Sequence, residues 1–320
     1  MAVTFLTNED KRNFLEEINI LRKKTRQFMP DWGMNIYGTR PPDEVIPKLQ
    51  HAVELNMSRV MICVNFMEIG ESFYGPYNYV TSYQYLTQAI DSAVSLGLTV
   101  SAIKIHLYGV EYSAMDRTKY VAGIAKLIEI LKECSVQPEY IVVLNETNLT
   151  DMSSNTEWIL NVIQVVHDGG YKCSMSMYGH FQYVSKTSID ILNALDMVGL
   201  NYYQVISSVG NNACALDSMR AWEYSGLNEM LSCIKHICGK PIWITETGVF
   251  DSMSALINPA NSWSCGYEEG DGTAEAIYFI GAFEYLKNNT DIECVFGWEP
   301  LSLYKPSMIK LCEKYMGGTT

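Results

Sequence analysis

Two carboxylates close strongly apolar runs, Ile141-Val-Val-Leu-Asn145-Glu146 and Ile242-Trp-Ile-Thr-Glu246. A run of aliphatic, β-branched residues reads as a buried strand, and an acid at its end is an acid delivered from the core into a site. Two acids facing across one cleft suit cleavage of a glycosidic bond, in which one protonates the leaving oxygen and the other meets the developing oxocarbenium ion. Further polar residues sit in or just after other apolar runs: Asn35 and Tyr37, Asn65 and Glu68, Lys104 and His106, Tyr178 and His180, Asn201 to Tyr203, and Trp298 with Glu299. The cluster Cys233-Ile-Lys-His236-Ile-Cys238 has zinc-like composition. On a helix its three side chains fan over more than one face and lack a fourth ligand, so no metal is expected there.

The elements that must position these residues follow a repeated phrase from Gly33 onward: a short β-branched run, a polar loop, then a longer amphipathic stretch. Strands are expected at Gly33 to Tyr37, Arg59 to Asn65, Thr99 to Leu107, Tyr140 to Asn145, Lys172 to Met177, Met197 to Tyr203, Pro241 to Thr245 and Glu293 to Trp298. Helical patterns lie at about residues 43–55, 82–96, 118–134, 155–168, 186–195, 219–238, 272–288 and 305–316. Strict alternation implies a parallel sheet, and eight units over roughly 290 residues match the size at which such a sheet closes. The expected fold class is α/β, a (β/α)8 TIM barrel, in one domain over residues 1–320. Phe14, Leu15, Ile18, Ile20, Leu21 and Phe28 recur at a helix-like period with Asn8 as cap, an extra N-terminal helix within residues 1–30. An open doubly wound sheet is the competing arrangement, but no G-x-G-x-x-G or G-x-x-x-x-G-K loop follows the first strand.

Barrels of this kind build their active sites at the C-terminal strand ends, which brings the polar residues above to one mouth. The fourth and seventh strands are three apart in a ring of eight, so their rim side chains point toward one another. Alternation places Glu146 on the face of Leu144 and Val142, and Glu246 on the face of Ile244 and Ile242; both faces read as barrel interior. Phe73, Tyr74, Tyr77, Tyr79 and Tyr83 crowd the region after the second strand, and the long loop over about residues 249–271 carries Trp263 and Tyr267. Long loops on the catalytic face usually serve binding, so the 249–271 loop is a candidate to set substrate specificity, and the aromatics after the second strand either pack over their loop or form a sugar-binding wall.

Asn145-Glu146-Thr147 and Ile244-Thr-Glu246-Thr-Gly248 resemble the strand ends of the retaining (β/α)8 glycoside hydrolases called the 4/7 superfamily, or clan A. The resemblance spans nearly the whole chain. It implies Glu146 as the acid/base, Glu246 as the nucleophile, Asn145 on the sugar 2-hydroxyl, Tyr203 orienting Glu246, and Trp298 stacking on a pyranose face. Asn35, His106 and Glu299, at or near the ends of the first, third and eighth strands, are expected to contact the sugar as well. The phrase Gly199-Leu-Asn-Tyr-Tyr203 is similar to the β-glucosidase branch of the clan and His106 to its endoglycanase branches, which leaves the branch open. Clan members carry an Arg on the second strand near the site; here Arg59 stands at the start of that strand, a departure from the pattern. The implied activity is hydrolysis of a β-linked glycan or oligosaccharide by double displacement, with neither metal nor organic cofactor. The alternative is a catalytically silent sugar-binding barrel in which the two Glu only hydrogen-bond ligand hydroxyls.

Composition agrees with a carbohydrate partner. Against 36 Asp+Glu stand 23 Lys+Arg, and the net charge of -13 repels phosphate backbones and anionic lipid, so neither nucleic acid nor a membrane is an expected partner. With 48% hydrophobic and 18% charged residues, 320 residues suffice for a full core without covalent staples. No uninterrupted apolar run of about 18 residues occurs. The opening Met1 to Asp10 lacks a basic segment followed by an apolar stretch, and the nine cysteines are odd in number and scattered. The expected location is the cytoplasm, or outside the cell where a leader has been trimmed.

Overall fold

A computed structural model describes residues 30–66, 79–107, 116–146, 155–206, 213–249, 253–257, 259–260, 272–287, 289–298, 311–312 and 314–315. Its eight strands are β1 (Asp31–Tyr37), β2 (Arg59–Asn65), β3 (Thr99–His106), β4 (Tyr140–Asn145), β5 (Lys172–Tyr178), β6 (Met197–Asn201), β7 (Ile242–Thr247) and β8 (Ile292–Gly297). All pair in parallel and in chain order, and β1 bonds β8 to close the barrel. Around it run α1 (Pro42–Glu54), α2 (Tyr79–Ser95), α3 (Arg117–Glu133), α4 (Thr156–Asp168), α5 (Phe181–Val184), α6 (Ile189–Ala194), α7 (Ala215–Glu223), α8 (Leu227–Cys238) and α9 (Thr273–Leu286). The expected (β/α)8 barrel is the fold. The N-terminal helix, most of the final helix over 305–316, Glu68, Phe73, Tyr74, Tyr77, Trp263, Tyr267 and Glu299 lie outside the described residues.

Local chemistry explains where the helices begin and break. The Asp116 carboxylate accepts from the backbone N–H groups of Thr118 at 3.0 Å and Lys119 at 3.2 Å, which caps α3. The single helix read over 219–238 is two, α7 and α8. Gly226 between them has φ 71°, a left-handed conformation that ends one helix and starts the next at little steric cost.

Strand side chains divide between two apolar layers. Trp32, Met34, Ile36, Val60, Ile62 and Val64 point outward and pack with helix residues such as Leu49, Leu86 and Phe283. Met61, Ala102, Tyr140, Val142, Met197, Trp243, Cys294 and Phe296 fill the lower barrel interior as a separate cluster. Tyr140 meets Trp243 edge to face, ring centroids 4.9 Å apart, so the barrel has a closed apolar floor. Above it the interior turns polar, with Asn35, Lys104, Ser176, Asn201 and Thr245 all buried.

The alternation argument for the two acids is overturned. Leu144, Ile242 and Ile244 belong to the outer layer, whereas Val142 and Trp243 belong to the inner one. Two irregularities restore the acids to the mouth. Val142 pairs Ser174 and Asn145 pairs Ser176, so β4 holds one more residue than β5 over that stretch. Leu200 pairs Ile244 and Asn201 pairs Glu246, an extra residue in β7 beside β6. A bulge of this kind re-aims the side chains after it.

Gly199 of β6 lies beneath this rim. A Cβ there would stand 2.7 Å from the Met175 carbonyl oxygen and 2.9 Å from Thr245 Cγ2, so backbone has to move to admit it. We expect Gly199→Ala to cost about 1–3 kcal/mol, measured as a lowered urea midpoint with unchanged slope. A midpoint equal to the parent's contradicts this account of the packing.

Candidate active site

Lys104 organises the mouth. It sits on β3 with no exposed surface, and its ammonium donates to Glu246 Oε1 and, at 3.1 Å, to Asn201 Oδ1. An ammonium is donor only, so it fixes the orientation of the Asn201 amide: the carbonyl faces Lys104 and the amino group must face away. That amino group donates to Glu146 Oε1 and to Asn145 Oδ1, each at 2.9 Å. Thr245 Oγ1 also donates to Asn201 Oδ1 at 2.9 Å and accepts from Ser176 Oγ at 2.8 Å. One carboxamide on β6 therefore bonds Glu146 directly with its amino group and reaches Glu246 through Lys104 with its carbonyl.

Glu246 is 4% exposed and held on both oxygens. Tyr203 donates its phenol proton to Oε2 at 2.7 Å, opposite the Lys104 bond to Oε1. Burial first, and then the Glu246 and Glu146 carboxylates, keep the Tyr203 hydroxyl well above its usual range, so it stays a donor. His106 Nε2 lies 3.5 Å from Glu246 Oε1. Burial and then the Lys104 charge lower the His106 pKa well below its ordinary value, so the ring is neutral.

Glu146 differs in both backbone and charge. Its φ of 55° is left-handed, a conformation rare for a residue with a Cβ, and its N–H donates to the Ser176 carbonyl at 2.6 Å. This sharp exit from β4 directs the carboxyl group to Asn201 rather than along the strand. Burial raises its pKa to about 7, with the Glu246 charge adding to the rise, while the Asn201 bond and Lys104 pull the other way. One acid is ion-paired and the other retains its proton near neutrality, the division of roles that acid and nucleophile require.

The rim is aromatic. Trp298, partly exposed, packs 5.3 Å from the His106 ring and 5.8 Å from Tyr37, the latter edge to face. Asn35 lies deeper than expected. Its amide donates to the Thr245 carbonyl at 2.9 Å and to the Gly297 carbonyl at 3.3 Å, bonds that hold β7 and β8 in place. Cys63 Sγ approaches its Oδ1 at 3.5 Å. Arg59 is at the opposite end of β2, donating to Asp31 at 2.7 Å and Ser101 at 3.2 Å, far from the acids.

The structure thus brings together Asn145, Glu146, Tyr203, Glu246, His106 and Trp298, while Glu299 lies outside the described residues. Sequence reasoning did not select Lys104 and Asn201. Both were visible as polar residues in apolar strands, and the signal that could have singled them out is a lysine between Ile103 and Ile105, where a charge survives only beside a carboxylate. Among the described residues, no group of three His, Cys, Asp or Glu could hold a metal ion, and no helix is long and apolar enough to cross a membrane.

No protein-family model matches the chain, and no curated protein matches it. Solved structures do. A GH5_18 variant from Bifidobacterium longum subsp. longum in complex with Manβ1-4GlcNAc is 14% identical, with a TM-score of 0.63 over 89% of this chain and 78% of that one. The endo-β-1,4-glucanase Xac0029 from Xanthomonas axonopodis pv. citri is 12% identical, with a TM-score of 0.60 over 90% and 99%. The exo-β-1,4-mannosidase Op5Man5 from Opitutaceae bacterium strain TAV5 is 13% identical, with a TM-score of 0.58 over 90% of this chain and 56% of that one. At these identities the likeness is one of fold, a closed (β/α)8 barrel.

The electrostatics predict a titration. In 13C NMR of the glutamate-labelled protein, Glu146 should lose its proton near pH 7 rather than near its ordinary value of 4.5. Because the Glu246 charge contributes to the rise, Glu246→Gln should move that midpoint downward. An ordinary midpoint in the wild type, or an upward move in the variant, contradicts the arrangement.

Proposed function

We propose that this chain is a retaining glycoside hydrolase acting on a β-linked glycan or oligosaccharide, with Glu246 the nucleophile and Glu146 the acid/base. The observation that carries the reading is the pair of acids at one barrel mouth, Glu246 bonded by Lys104 and Tyr203 and Glu146 bonded by Asn201 with its pKa raised to about 7. In the first half-reaction a Glu246 oxygen attacks the anomeric carbon as the bond to the leaving oxygen breaks. Glu146 gives its proton to that oxygen. In the second, Glu146 takes a proton from water, the water oxygen attacks the anomeric carbon, and Glu246 leaves as carboxylate with the electron pair of the broken bond.

Other residues take supporting parts. Asn145 is proposed to meet the sugar 2-hydroxyl, an interaction that strengthens in the transition state. Trp298, with His106 and Tyr37 against it, offers an apolar face for the C–H-rich side of a pyranose. Glu299 is proposed to reach the sugar at the rim. The named neighbours cleave or bind β-1,4-linked glucose or mannose units, which makes β-1,4-glucans and β-1,4-mannans the first substrates to try.

Wild type and Glu246→Ala should be incubated with β-glucans, β-mannans, β-galactans, xylans and aryl β-glycosides, following reducing-end or phenol release. Release by the wild type is expected, with the variant slower by on the order of 10⁴-fold or more. Added azide should restore phenol release by Glu246→Ala and yield the inverted glycosyl azide. Rescue confined to Glu146→Ala would reverse the two roles. Binding of a glycan with no release by the wild type would replace the enzyme by a sugar-binding barrel.

A further inference from the structure

The scheme above uses Glu146 and Glu246 but leaves unexplained a buried positive charge between them. Taking an ammonium out of water costs several kcal/mol unless it is paired, and an apolar chain of similar length at this position would carry no such cost. The charge is retained, faces inward, and is fastened at two points: Asn201 Oδ1 at 3.1 Å and Glu246 Oε1. Its anchor is itself fixed, since Asn201 accepts from Thr245 Oγ1 at 2.9 Å and donates to Asn145 and Glu146. The ammonium therefore cannot follow Glu246 if that carboxylate changes its charge.

This has opposite consequences for the two half-reactions. When Glu246 bonds to the anomeric carbon it gives up negative charge, and the fixed ammonium loses its counter-ion. When water displaces Glu246, the electron pair of the breaking carbon–oxygen bond returns to the carboxylate, and the water proton passes to Glu146. Negative charge then develops beside an ammonium already in place, inside a site where little water screens it.

We infer that Lys104 is a positioning residue that favours the second half-reaction, its anchored ammonium holding Glu246 and stabilising that carboxylate as it leaves the sugar. The inference rests on the glycosidase reading above. Lys104 spends its bonds on Glu246 and Asn201, so it acts through the nucleophile.

The test uses 2,4-dinitrophenyl β-glycosides, carrying whichever sugar the wild type turns over fastest. This leaving group needs no protonation, so the first half-reaction is fast and kcat reports the second. Lys104→Met should lower kcat by about tenfold or more and lower KM with it, leaving kcat/KM within about threefold of the parent. Rapidly quenched protein should gain the mass of one glycosyl group, located on Glu246. Lys104→Arg, which keeps the charge, should recover part of kcat and show less adduct. If Lys104→Met does not fold by thermal melting, Lys104→Gln takes its place with the same expectation. A parallel fall of kcat and kcat/KM, or an unchanged kcat, with no adduct in either case, overturns the role of Lys104 while leaving the hydrolase intact. No release by the wild type from any aryl glycoside or glycan overturns the reading beneath it and the inference together.

Discussion

A lysine ammonium without exposed surface has to be satisfied wholly by neighbouring oxygens, and in this barrel that requirement orders the mouth. Lys104 takes one oxygen of Glu246 and the carbonyl of Asn201. Because the ammonium cannot accept, Asn201 has one orientation only, and its amino group is delivered to Glu146 and Asn145. Tyr203 holds the other oxygen of Glu246 and Thr245 also donates to Asn201 Oδ1, so the lysine supplies the charge while its neighbours share the positioning. The residues bonded by this network come from β3, β4, β6 and β7, so the ion pair also connects strands across the barrel.

The rest of the fold meets that constraint from below and from the side. Tyr140, Trp243 and Phe296 plug the lower barrel, which keeps water from reaching the ion pair from the floor. Asn35 bonds the carbonyls of Thr245 and Gly297 and so fixes the strand end on which Glu246 stands. At the mouth, backbone strain falls on Glu146, whose left-handed φ of 55° turns its carboxyl group toward Asn201. Strain of this kind persists where the surroundings over-determine the residue, and here the Ser176 carbonyl and the Asn201 amide do so from two strands.

Much of this was legible in the sequence, and for a physical reason. Parallel barrel strands are buried on both faces, so they stand out as aliphatic runs, and each of the eight begins and ends within two residues of the expected bounds. The acids Glu146 and Glu246 were legible as polar ends to such runs. Their route into the mouth was not, because strict alternation back from Glu246 puts Ile242 and Ile244 inside, whereas they face out and the irregularity after Ile244 turns Glu246 in. A bulge is a relation between two strands and leaves no mark in either one alone. Asn201 escaped selection for the same reason, since it looks like a tolerated polar residue until β3 is across from it, whereas Lys104 between Ile103 and Ile105 did carry a signal within its own strand. Gly226 could have been read as a break in the 219–238 helix, since its lack of a Cβ permits the positive φ found there.

The central claim is that the two acids have different jobs, Glu246 bonding to carbon and Glu146 moving protons. The most direct measurement is 1H NMR of the first sugar released from the best β-glycoside substrate, recorded before the anomers interconvert. Two displacements at one carbon return the original configuration, so the β-anomer should appear first and the α-anomer only by later mutarotation. Initial release of the α-anomer would mean a single displacement by water, and would contradict the assignment of Glu246 as nucleophile.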